Sequence, residues 1–523
     1  MSTTIKMRAR IHQGGGVYYE DETEYTVDDV VAQKLIAQNA AIYVSGGPNS
    51  DSPVTATRDA SENVTGLSAG GEALRYPGYS LIGTIASLGD SRASNSYGFG
   101  GTPATTLNAT INRTALVWLN YMLGGPWHFL QPSTGAVAGE RTDQWADGHA
   151  AILAMSPRPD FVFISFPTNN VSQGIDFDVT TGYLSRYISD HQRNGSRVIL
   201  EIAGSNLGND ASEWEKIKRM NAWIKAKAVA IGAPIIDALT PTADPLTGQF
   251  DTGMSTDGTH EIPLGGYTQA KFSLPKFVPL LAGQSRFSRA HLWDTAAYNP
   301  SVAGDASGNP TFYSTYGTAG TRTKVARTDI PGEFAQVFYT SDSDTNETGW
   351  RQQVQLNGAW AASTAMAVGK RILVSDEHWV ATTAGTTTAT QPAGLTAASS
   401  PGDTVTDGTV VWTRIATITP GVSEITISAE LMVSGTGEAS PRIYCTFTSA
   451  ASPDITFIRA MNIASNEPCP PIFTPLDGIV PVISTVTATV PAGTTNLDVI
   501  ICARVENGVE ATIQLGRVFI DVE

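Results

Sequence analysis

The chain has 523 residues, of which 41% are hydrophobic and only 16% are charged, and its formal net charge is −16. This acidic balance excludes the broad basic surface that binds DNA or RNA. It also argues against electrostatic docking on anionic lipid. At roughly 150 residues per domain, a chain of this length is expected to form three or four domains.

Residues 1–45 predict a small N-terminal unit. Residues 7–11 alternate like the first strand of a hairpin, and three glycines follow as its turn. Residues 26–29 resemble a helix cap, and apolar residues recur at helical spacing over 27–36. So short a unit has a marginal hydrophobic core, and we expect it to pack against another chain or domain. The Gly-, Ser- and Pro-rich residues 46–75 predict a linker.

Residues 76–283 predict an α/β domain, because strand and helix patterns alternate there. The run at 160–166 is almost wholly apolar, as expected of a strand buried on both faces. This order predicts an open parallel sheet with helices on both faces. The predicted strands are 84–88, 160–166, 197–202 and 234–237, and the predicted helices are 104–123, 178–194, 212–231 and 267–281.

Residues 284–523 predict an all-β domain, because short Val, Thr and Ile runs alternate with turn residues. We interpret residues 368–415 as a small β insert within a larger β-sandwich. Trp379 and Trp412 of this insert could stack on sugars if exposed, although sandwich tryptophans lie in the core at least as often. The outer parts of the sandwich would be 286–367 and 416–523.

Cys445, Cys469 and Cys502 are too few and too widely spaced for a disulfide framework or a metal site, and we expect buried apolar residues there. No basic stretch precedes an apolar core at the N-terminus, so we expect no signal peptide. The sequence has no run of about 18 apolar residues, so we expect no membrane-spanning segment. Neither metal-ligand spacing nor a phosphate-binding glycine motif occurs, so we expect no metal and no cofactor.

Two short segments predict acyl-transfer chemistry. Gly89-Asp90-Ser91 directly follows the first strand of the α/β domain, and parallel sheets bind ligands at the carboxyl ends of their strands. His260 follows the last strand, three residues after Asp257. At that spacing the carboxylate can reach Nδ1 of the ring, which leaves Nε2 free to act as a base.

Candidate donors for a developing oxyanion lie between these segments. Gly139 offers a backbone N–H, although many glycines occur between 124 and 148. Asn169 offers a side-chain amide after the strand 160–166, and Asn206 is an alternative after the next strand.

The order Gly-Asp-Ser, then Gly, then Asn, then Asp-x-x-His resembles the SGNH (GDSL-type) hydrolase family. The resemblance implies a flavodoxin-like α/β/α three-layer sandwich, with ester hydrolysis or carbohydrate deacetylation as the activity. It implies that Ser91 is the nucleophile, His260 the general base and acid, and Asp257 the carboxylate that orients His260. The N–H of Ser91, with Gly139 and Asn169, would form the oxyanion hole.

The third family motif is altered in this chain. The family usually has Gly-x-Asn-Asp, whereas here the residues are Pro167-Thr168-Asn169-Asn170. Pro167 stiffens the approach to the donor, and Asn170 replaces the acid that usually braces the loop. We prefer Asn169 to Asn206 because the family places its donor after the third strand.

Other motifs predict no catalytic role. Residues 66–70 fit the Gly-x-Ser-x-Gly nucleophile elbow, but polar residues rather than a buried strand precede them. His128, His149 and His191 lack a carboxylate at productive spacing, and we interpret them as structural or surface residues.

The remaining segments resemble parts of bacteriophage tails. Residues 284–523 resemble a carbohydrate-binding jelly-roll, 368–415 small modules of tail proteins, and 1–45 a segment that attaches to tail or baseplate proteins. The hypothesis is a homotrimeric tailspike or tail-fibre esterase of the virion. It would remove O-acetyl groups from a polysaccharide of the bacterial surface, such as O-antigen, capsule or exopolysaccharide. The alternatives are a non-catalytic glycan receptor-binding tail protein and a bacterial carbohydrate esterase unconnected to virions.

Overall fold

The computed structural model describes most of the two main domains with their side chains, and ten further strands by their backbone. The fully described residues are 83–93, 114–129, 135–204, 206, 210–281, 295–297, 309–310, 313–318, 320–327, 333–341, 347–397, 399–435, 439–449, 479–485 and 488–522. The backbone alone is described for 2–7, 11–14, 17–19, 24–28, 41–45, 54–58, 64–69, 72–73, 94, 106–111 and 455–460.

The described residues before position 76 form eight short strands. They are β1 (Ser2–Met7), β2 (Ile11–Gly14), β3 (Val17–Tyr19), β4 (Glu24–Asp28), β5 (Ala41–Ser45), β6 (Val54–Arg58), β7 (Val64–Ala69) and β8 (Glu72–Ala73). They form sheets in the orders β4-β1-β5, β2-β3 and β6-β7-β8.

The strand expected over 7–11 is described only at its two ends: Met7 ends β1 and Ile11 begins β2, whereas residues 8–10 lie outside the described chain. Two other predictions for the N-terminal region are corrected. The helix cap expected at 26–29 overlaps β4, because Tyr25, Thr26 and Val27 pair with β1 and have high β-propensity; residues 29–36 of that helix lie outside the described chain. The predicted linker contains β6, β7 and β8.

The α/β domain follows, with seven strands and seven helices in the described chain. The strands are β9 (Gly83–Gly89), β10 (Thr106–Ile111), β11 (Trp127–Phe129), β12 (Gly135–Ala136), β13 (Phe161–Ile164), β14 (Arg197–Ile202) and β15 (Ile235–Asp237). The helices are α1 (Ser91–Ser94), α2 (Ala115–Met122), α3 (Ala146–Leu153), α4 (Thr168–Ser172), α5 (Phe177–Arg193), α6 (Ala211–Ile231) and α7 (Pro263–Phe277), and a 3₁₀ turn (Val278–Leu281) extends α7.

The sheet of this domain is parallel, in the order β11-β9-β13-β14-β15, with β12 also paired to β9. Successive residues of its strands enter two different cores, because strand side chains alternate between faces. Phe161 and Phe163 share one core with α2 and α7. Val162 and Ile164 share the other with α5 and α6. The predicted α/β/α layering is therefore confirmed for this domain.

The helix predicted over 104–123 is wrong in its first half. Residues 106–111 form β10, which pairs in parallel with a strand near residue 458, and the helix begins only at Ala115. Distant pairing has overridden the helical spacing of the local sequence. The other strands and helices predicted between 84 and 281 are each present, with their ends shifted by a few residues.

The C-terminal region is all-β in its described parts. Its strands are β16 (Ser314–Gly317), β17 (Thr321–Ala326), β18 (Glu333–Thr340), β19 (Glu347–Gln355), β20 (Ala365–Met366), β21 (Arg371–Val374), β22 (Glu377–Thr383), β23 (Gly385–Thr386), β24 (Thr404–Asp407), β25 (Val410–Arg414), β26 (Glu424–Gly435), β27 (Ala439–Ser449), β28 (Ile455–Ala460), β29 (Val482–Ser484), β30 (Ala488–Thr489), β31 (Thr494–Val505) and β32 (Glu510–Val522), with a 3₁₀ turn at Ala393–Leu395.

Two large sheets and a small insert make up this region. The sheets run β10-β28-β27-β31-β19-β16 and β17-β18-β32-β26-β29, and their inward residues, such as Trp350 and Ile427, share one core. The insert, with sheets β20-β23 and β21-β22-β25-β24, has its own core. Trp379 and Trp412 are both 0% exposed within it, so they cannot stack on sugars.

Two of the three cysteines lie in the described chain. Cys445 and Cys502 are buried thiols, as predicted, and Cys469 lies outside the described chain.

The α/β domain and the sandwich pack directly on each other. Tyr121 Oη donates to Leu431 O at 2.7 Å, and His128 Nε2 lies 3.2 Å from Thr426 Oγ1. Apolar side chains of α2 and α7 belong to the same core as the sandwich. Within the described chain, no helix combines the length and apolarity needed to cross a bilayer.

Candidate active site

A sharp turn places Ser91 at the carboxyl end of β9. Gly89 has a φ of +155°, and a Cβ there would lie 1.9 Å from Ser165 Oγ, so only glycine fits. Ser91 then begins α1 with its side chain partly exposed. The sheet edge therefore presents the Ser91 hydroxyl where ligands of parallel sheets bind.

The structure brings Ser91, His260 and Asp257 together. His260 Nε2 lies 2.8 Å from Ser91 Oγ, and Nδ1 lies 2.7 Å from Asp257 Oδ2. With the proton on Nδ1, the ring donates to Asp257 and accepts from the Ser91 hydroxyl. This arrangement can activate a hydroxyl for attack on a carbonyl carbon.

The segment before His260 is fixed by its own hydrogen bonds. Asp257 Oδ1 accepts from the backbone N–H groups of Thr259, at 2.8 Å, and His260, at 2.7 Å. Ser255 Oγ donates to His260 O at 2.6 Å and accepts from Gly258 N at 2.9 Å. Partial burial raises the pKa of Asp257, but the hydrogen bonds from His260 and Thr259 outweigh it and hold that pKa well below its usual range. Asp257 is therefore ionised and preset for His260.

Asn169 and the segment around Gly139 also lie at this site. Asn169 Nδ2 donates to Glu140 O at 3.0 Å and to Asp90 Oδ2 at 3.3 Å. Gly139 has a φ of +84°, which favours glycine, and a Cβ there would meet no atom within 4 Å. Both candidate donors are thus adjacent to the Gly89-Asp90-Ser91 turn, since Val137 N donates to Gly89 O at 3.1 Å.

Asp90 links the nucleophile turn to the donor amide. It is fully buried, and its Oδ1 accepts from Arg92 N at 3.0 Å. Burial raises the pKa of Asp90 to about 6, although the hydrogen bonds from Arg92 and Asn169 and the positive charge of Arg92 oppose the rise. Because Asn169 donates to Asp90 and to Glu140 O, its amide has a fixed orientation at the site.

The altered third motif keeps its loop braced. Asn170 is buried, accepts from Thr142 N at 2.9 Å, and donates to Thr142 Oγ1 at 2.7 Å and Thr180 Oγ1 at 2.9 Å. Pro167 immediately precedes α4, in which Asn169 lies. Asn206, the alternative donor, instead donates to Ser172 Oγ at 3.2 Å, at the other end of α4.

His149, His191 and the Gly-x-Ser-x-Gly motif at 66–70 take no part in this arrangement. Ser68 lies within β7, which pairs with β6 and β8, so the strand-to-helix turn of an elbow is missing there. His149 has no carboxylate at productive spacing in the sequence, but in the fold its Nε2 lies 3.2 Å from Asp190 Oδ2 on α5. His149 Nδ1 faces His191 Nε2 at 3.1 Å, and burial lowers the pKa of both, that of His191 to about 4. Such a buried pair is a structural contact between α3 and α5.

The sequence missed several residues around this site. Ser255, Arg92, Glu201 and Glu261 all support its segments, and only their position beside the motifs could have drawn attention to Arg92 and Glu261. Across the described residues, no three His, Cys, Asp or Glu side chains are placed to hold a metal ion.

Comparisons with known proteins find a family match that contains these residues. Residues 87–265 match the GDSL-like Lipase/Acylhydrolase family. No curated protein matches the chain.

Similar solved structures include a lipolytic protein of the G-D-S-L family from Desulfitobacterium hafniense, with 13% identity and a TM-score of 0.29 over 37% of this chain and 98% of that one. A GDSL-like lipase from Bacteroides thetaiotaomicron has 16% identity and a TM-score of 0.29 over 37% of this chain and 87% of that one. The acetylxylan esterase Axe2 from Geobacillus stearothermophilus has 14% identity and a TM-score of 0.30 over 40% of this chain and 97% of that one.

The family match spans the turn at Ser91, both donor segments and His260. Residues 87–265 are therefore a domain of the GDSL/SGNH hydrolase family, a family of carboxylic ester hydrolases.

Proposed function

We propose that the protein is a serine esterase that removes O-acetyl groups from a polysaccharide of the bacterial surface, as part of a phage tail. The observation that carries the catalytic part is the Ser91–His260–Asp257 arrangement, with distances of 2.8 and 2.7 Å. In this proposal Ser91 is the nucleophile, His260 the general base and acid, and Asp257 the group that orients His260.

The reaction has two acyl-transfer steps. His260 Nε2 takes the Ser91 proton while Oγ bonds to the acetyl carbon, and the carbonyl oxygen becomes an oxyanion. The C–O bond to the sugar then breaks, and the sugar oxygen takes the proton from His260. Water, deprotonated by His260, attacks the acetyl-serine, and acetate leaves as Oγ regains its proton.

In this proposal the oxyanion of each step is stabilised by the N–H of Ser91, the N–H of Gly139 and the Asn169 amide. Asn169 Nδ2 donates to Glu140 O and Asp90 Oδ2, so one of these two hydrogen bonds gives way to the oxyanion. Each donor of this kind contributes roughly 3 kcal/mol to transition-state stabilisation. Gly139 leaves the space beside it open, because no side chain projects there.

The rim beside Gly139 supports a hydroxyl-rich substrate over a lipid. Gln173 Nε2 donates to Gly139 O at 3.4 Å, and Gln173 Oε1 accepts from Arg141 Nη1 at 3.2 Å. Arg141 in turn binds Asp143 through two hydrogen bonds, and both side chains are 29% exposed. Exposed amide, guanidinium and carboxylate groups suit sugar hydroxyls, whereas an acyl chain of a lipid needs apolar walls.

The proposed virion role depends on the sequence resemblances of residues 1–45 and 368–415 to phage tail segments, and of residues 284–523 to a carbohydrate-binding jelly-roll. In this role, residues 1–45 attach a homotrimer to tail or baseplate proteins, and the enzyme acts outside the bacterium after release by lysis.

The test is acetate release from a panel of O-acetylated capsular, O-antigen and exopolysaccharides, with Ser91→Ala as the matched control. We expect release from at least one member by the wild-type protein and none by Ser91→Ala. Binding of a polysaccharide without acetate release would contradict the esterase and support a receptor-binding protein. A monomer in solution that releases acetate would contradict the tail assignment and support a free carbohydrate esterase.

A further inference from the structure

A buried ion pair joins the two segments that hold Ser91 and His260. Arg92 follows Ser91 in the chain, and Glu261 follows His260. Arg92 Nη2 lies 3.3 Å from Glu261 Oε2, and the two side chains are 1% and 2% exposed. Because both are buried, this pair lies beneath the site and cannot contact substrate.

We propose that the Arg92–Glu261 ion pair is a positioning device that holds the Ser91 hydroxyl and the His260 ring at reacting distance. The inference rests on the proposed esterase function, because it concerns the rate of that reaction. Ser91 and His260 are 169 positions apart and belong to different segments. In the described structure, the ion pair connects these segments one residue beyond the reacting side chains.

The hydrogen bonds of Asp257 and Ser255 do not link the segment of His260 to that of Ser91. They lie within residues 255–260, so they fix the shape of this segment but not its distance from β9. The Ser91–His260 hydrogen bond itself breaks in each turnover as the proton moves. Glu261 is also held on its backbone, through an antiparallel bridge with Ser255.

A second buried carboxylate extends the device to the oxyanion donor. Glu201, on β14, is 2% exposed, and its Oε2 accepts from Phe166 N at 3.0 Å, at the start of the segment leading to Asn169. Burial lowers the pKa of the Arg92 guanidinium, but the negative charges of Glu261 and Glu201 outweigh this and raise it. Arg92 therefore interacts electrostatically with Glu261, which follows His260, and with Glu201, which binds the segment before Asn169.

Geometry rather than stability explains why charged residues occupy this place. Burying two charges costs desolvation energy that their attraction often only offsets, and apolar pairs of similar volume are frequently as stable. An ion pair with a hydrogen bond, however, fixes the distance and the relative orientation of its two side chains, which an apolar contact does not. Reaction rates depend strongly on such positions, since moving a reacting group by about 1 Å can lower the rate about 100-fold.

The experiment compares Glu261→Gln and Arg92→Met with a matched ion pair elsewhere. Arg327 and Glu430, in the sandwich, are similarly buried at 2% and 5% exposure, and Arg327 Nη2 also donates to Glu430 Oε1 at 3.1 Å. Glu430→Gln therefore breaks an equivalent ion pair that does not touch the site. Each variant is assayed well below its unfolding temperature for kcat and KM on p-nitrophenyl acetate, and for the rate at which a fluorophosphonate labels Ser91.

We expect Glu261→Gln and Arg92→Met to lower kcat and the labelling rate by about 10- to 100-fold, with KM changed by less than about twofold. Glu430→Gln should lower the unfolding temperature and leave both rates unchanged. Arg92→Lys, which keeps the charge, should retain more of both rates than Arg92→Met. The Arg92→Met/Glu261→Met double variant should be no slower than the slower single variant, because the pair acts as a unit.

A lower unfolding temperature with unchanged rates in Glu261→Gln and Arg92→Met would overturn the inference, as would wild-type rates in the double variant. Failure of the underlying function gives a different result, because the wild-type protein itself would then neither turn over the ester nor be labelled at Ser91.

Discussion

Asn170 binds Thr142 through both ends of its side-chain amide: Oδ1 accepts from Thr142 N, and Nδ2 donates to Thr142 Oγ1. Thr142 is further held by Tyr187, whose Oη donates to Thr142 O at 2.7 Å. The loop that contains Gly139 is thereby tied to the segment that contains Asn169. The amide at position 170 can thus brace this loop where the family usually has an acid.

We predict that Asn170→Asp is tolerated and Asn170→Ala is not. A carboxylate can still accept from Thr142 N and from the Thr142 hydroxyl after that hydroxyl rotates, so kcat should stay within about tenfold of wild type. Alanine leaves these buried groups without a partner and should lower the free energy of unfolding by about 1–3 kcal/mol. Denaturant titration and ester turnover measure the two effects, and equal behaviour of both variants would contradict the bracing role.

The donor role of Asn169 predicts a loss in kcat rather than in binding. Asn169→Ala should lower kcat by about 10²- to 10³-fold with little change in KM, because the oxyanion develops only during the reaction. Asn206→Ala is the matched control, since Asn206 binds Ser172 instead. If Asn206→Ala showed the larger loss of kcat, the donor assignment would be wrong.

Removing the Asp257 side chain should lower kcat less than removing that of Ser91 or His260, the two residues that exchange the proton. Its side chain is 53% exposed, so water can partly replace it beside His260. We predict that Asp257→Ala lowers kcat by on the order of 10³- to 10⁴-fold, a smaller loss than that of Ser91→Ala. Ser255→Ala should cost less again, because Asp257 keeps its bonds to Thr259 and His260. Steady-state turnover of a small acetyl ester gives this order, and any other order would count against it.

Glu201 predicts a pH dependence of stability. Burial raises its pKa from 4.5 to about 7, despite the positive charge of Arg92. The folded state therefore binds the proton more tightly than the unfolded state, and the free energy of unfolding falls as pH rises from about 4.5 to about 7. Glu201→Gln lacks this titration.

The measurement for Glu201 is the unfolding temperature of Glu201→Gln minus that of wild type. This difference should shift in favour of the variant between about pH 5 and pH 8. Glu215→Gln, which replaces an exposed glutamate of α6, is the control. A difference that stayed constant, or moved the other way, would rule out a raised pKa at Glu201.

The sequence correctly predicted the strands and helices whose formation depends mainly on neighbouring residues. The strand 197–202 coincides with β14, because an apolar run between two amphipathic helices has few alternatives. The helix predicted at 104–123 failed, because β10 is stabilised by pairing with β28, about 350 positions away. No window of the sequence contains both partners of that pairing.

The candidate site shows the same division. Gly-Asp-Ser and Asp-x-x-His are short motifs, and the structure brings Ser91, Asp257 and His260 together as the motifs suggested. The contacts of Arg92 with Glu261, of His149 with Asp190 and of Asn170 with Thr142 join separate segments, so no spacing rule could predict them. Trp379 and Trp412 were ambiguous for a related reason, since only the packed insert decides that both are buried.

The central claim is that Ser91 and His260 act as one unit on an ester, and a double-mutant cycle tests it most directly. The measured quantity is kcat/KM on a small acetyl ester for Ser91→Ala, His260→Ala and the double variant, each confirmed to be folded. We predict that all three lose roughly 10⁶-fold and agree with one another, because removing either partner removes the whole function. A double variant far slower than either single variant, or a single variant with near wild-type turnover, would contradict the account.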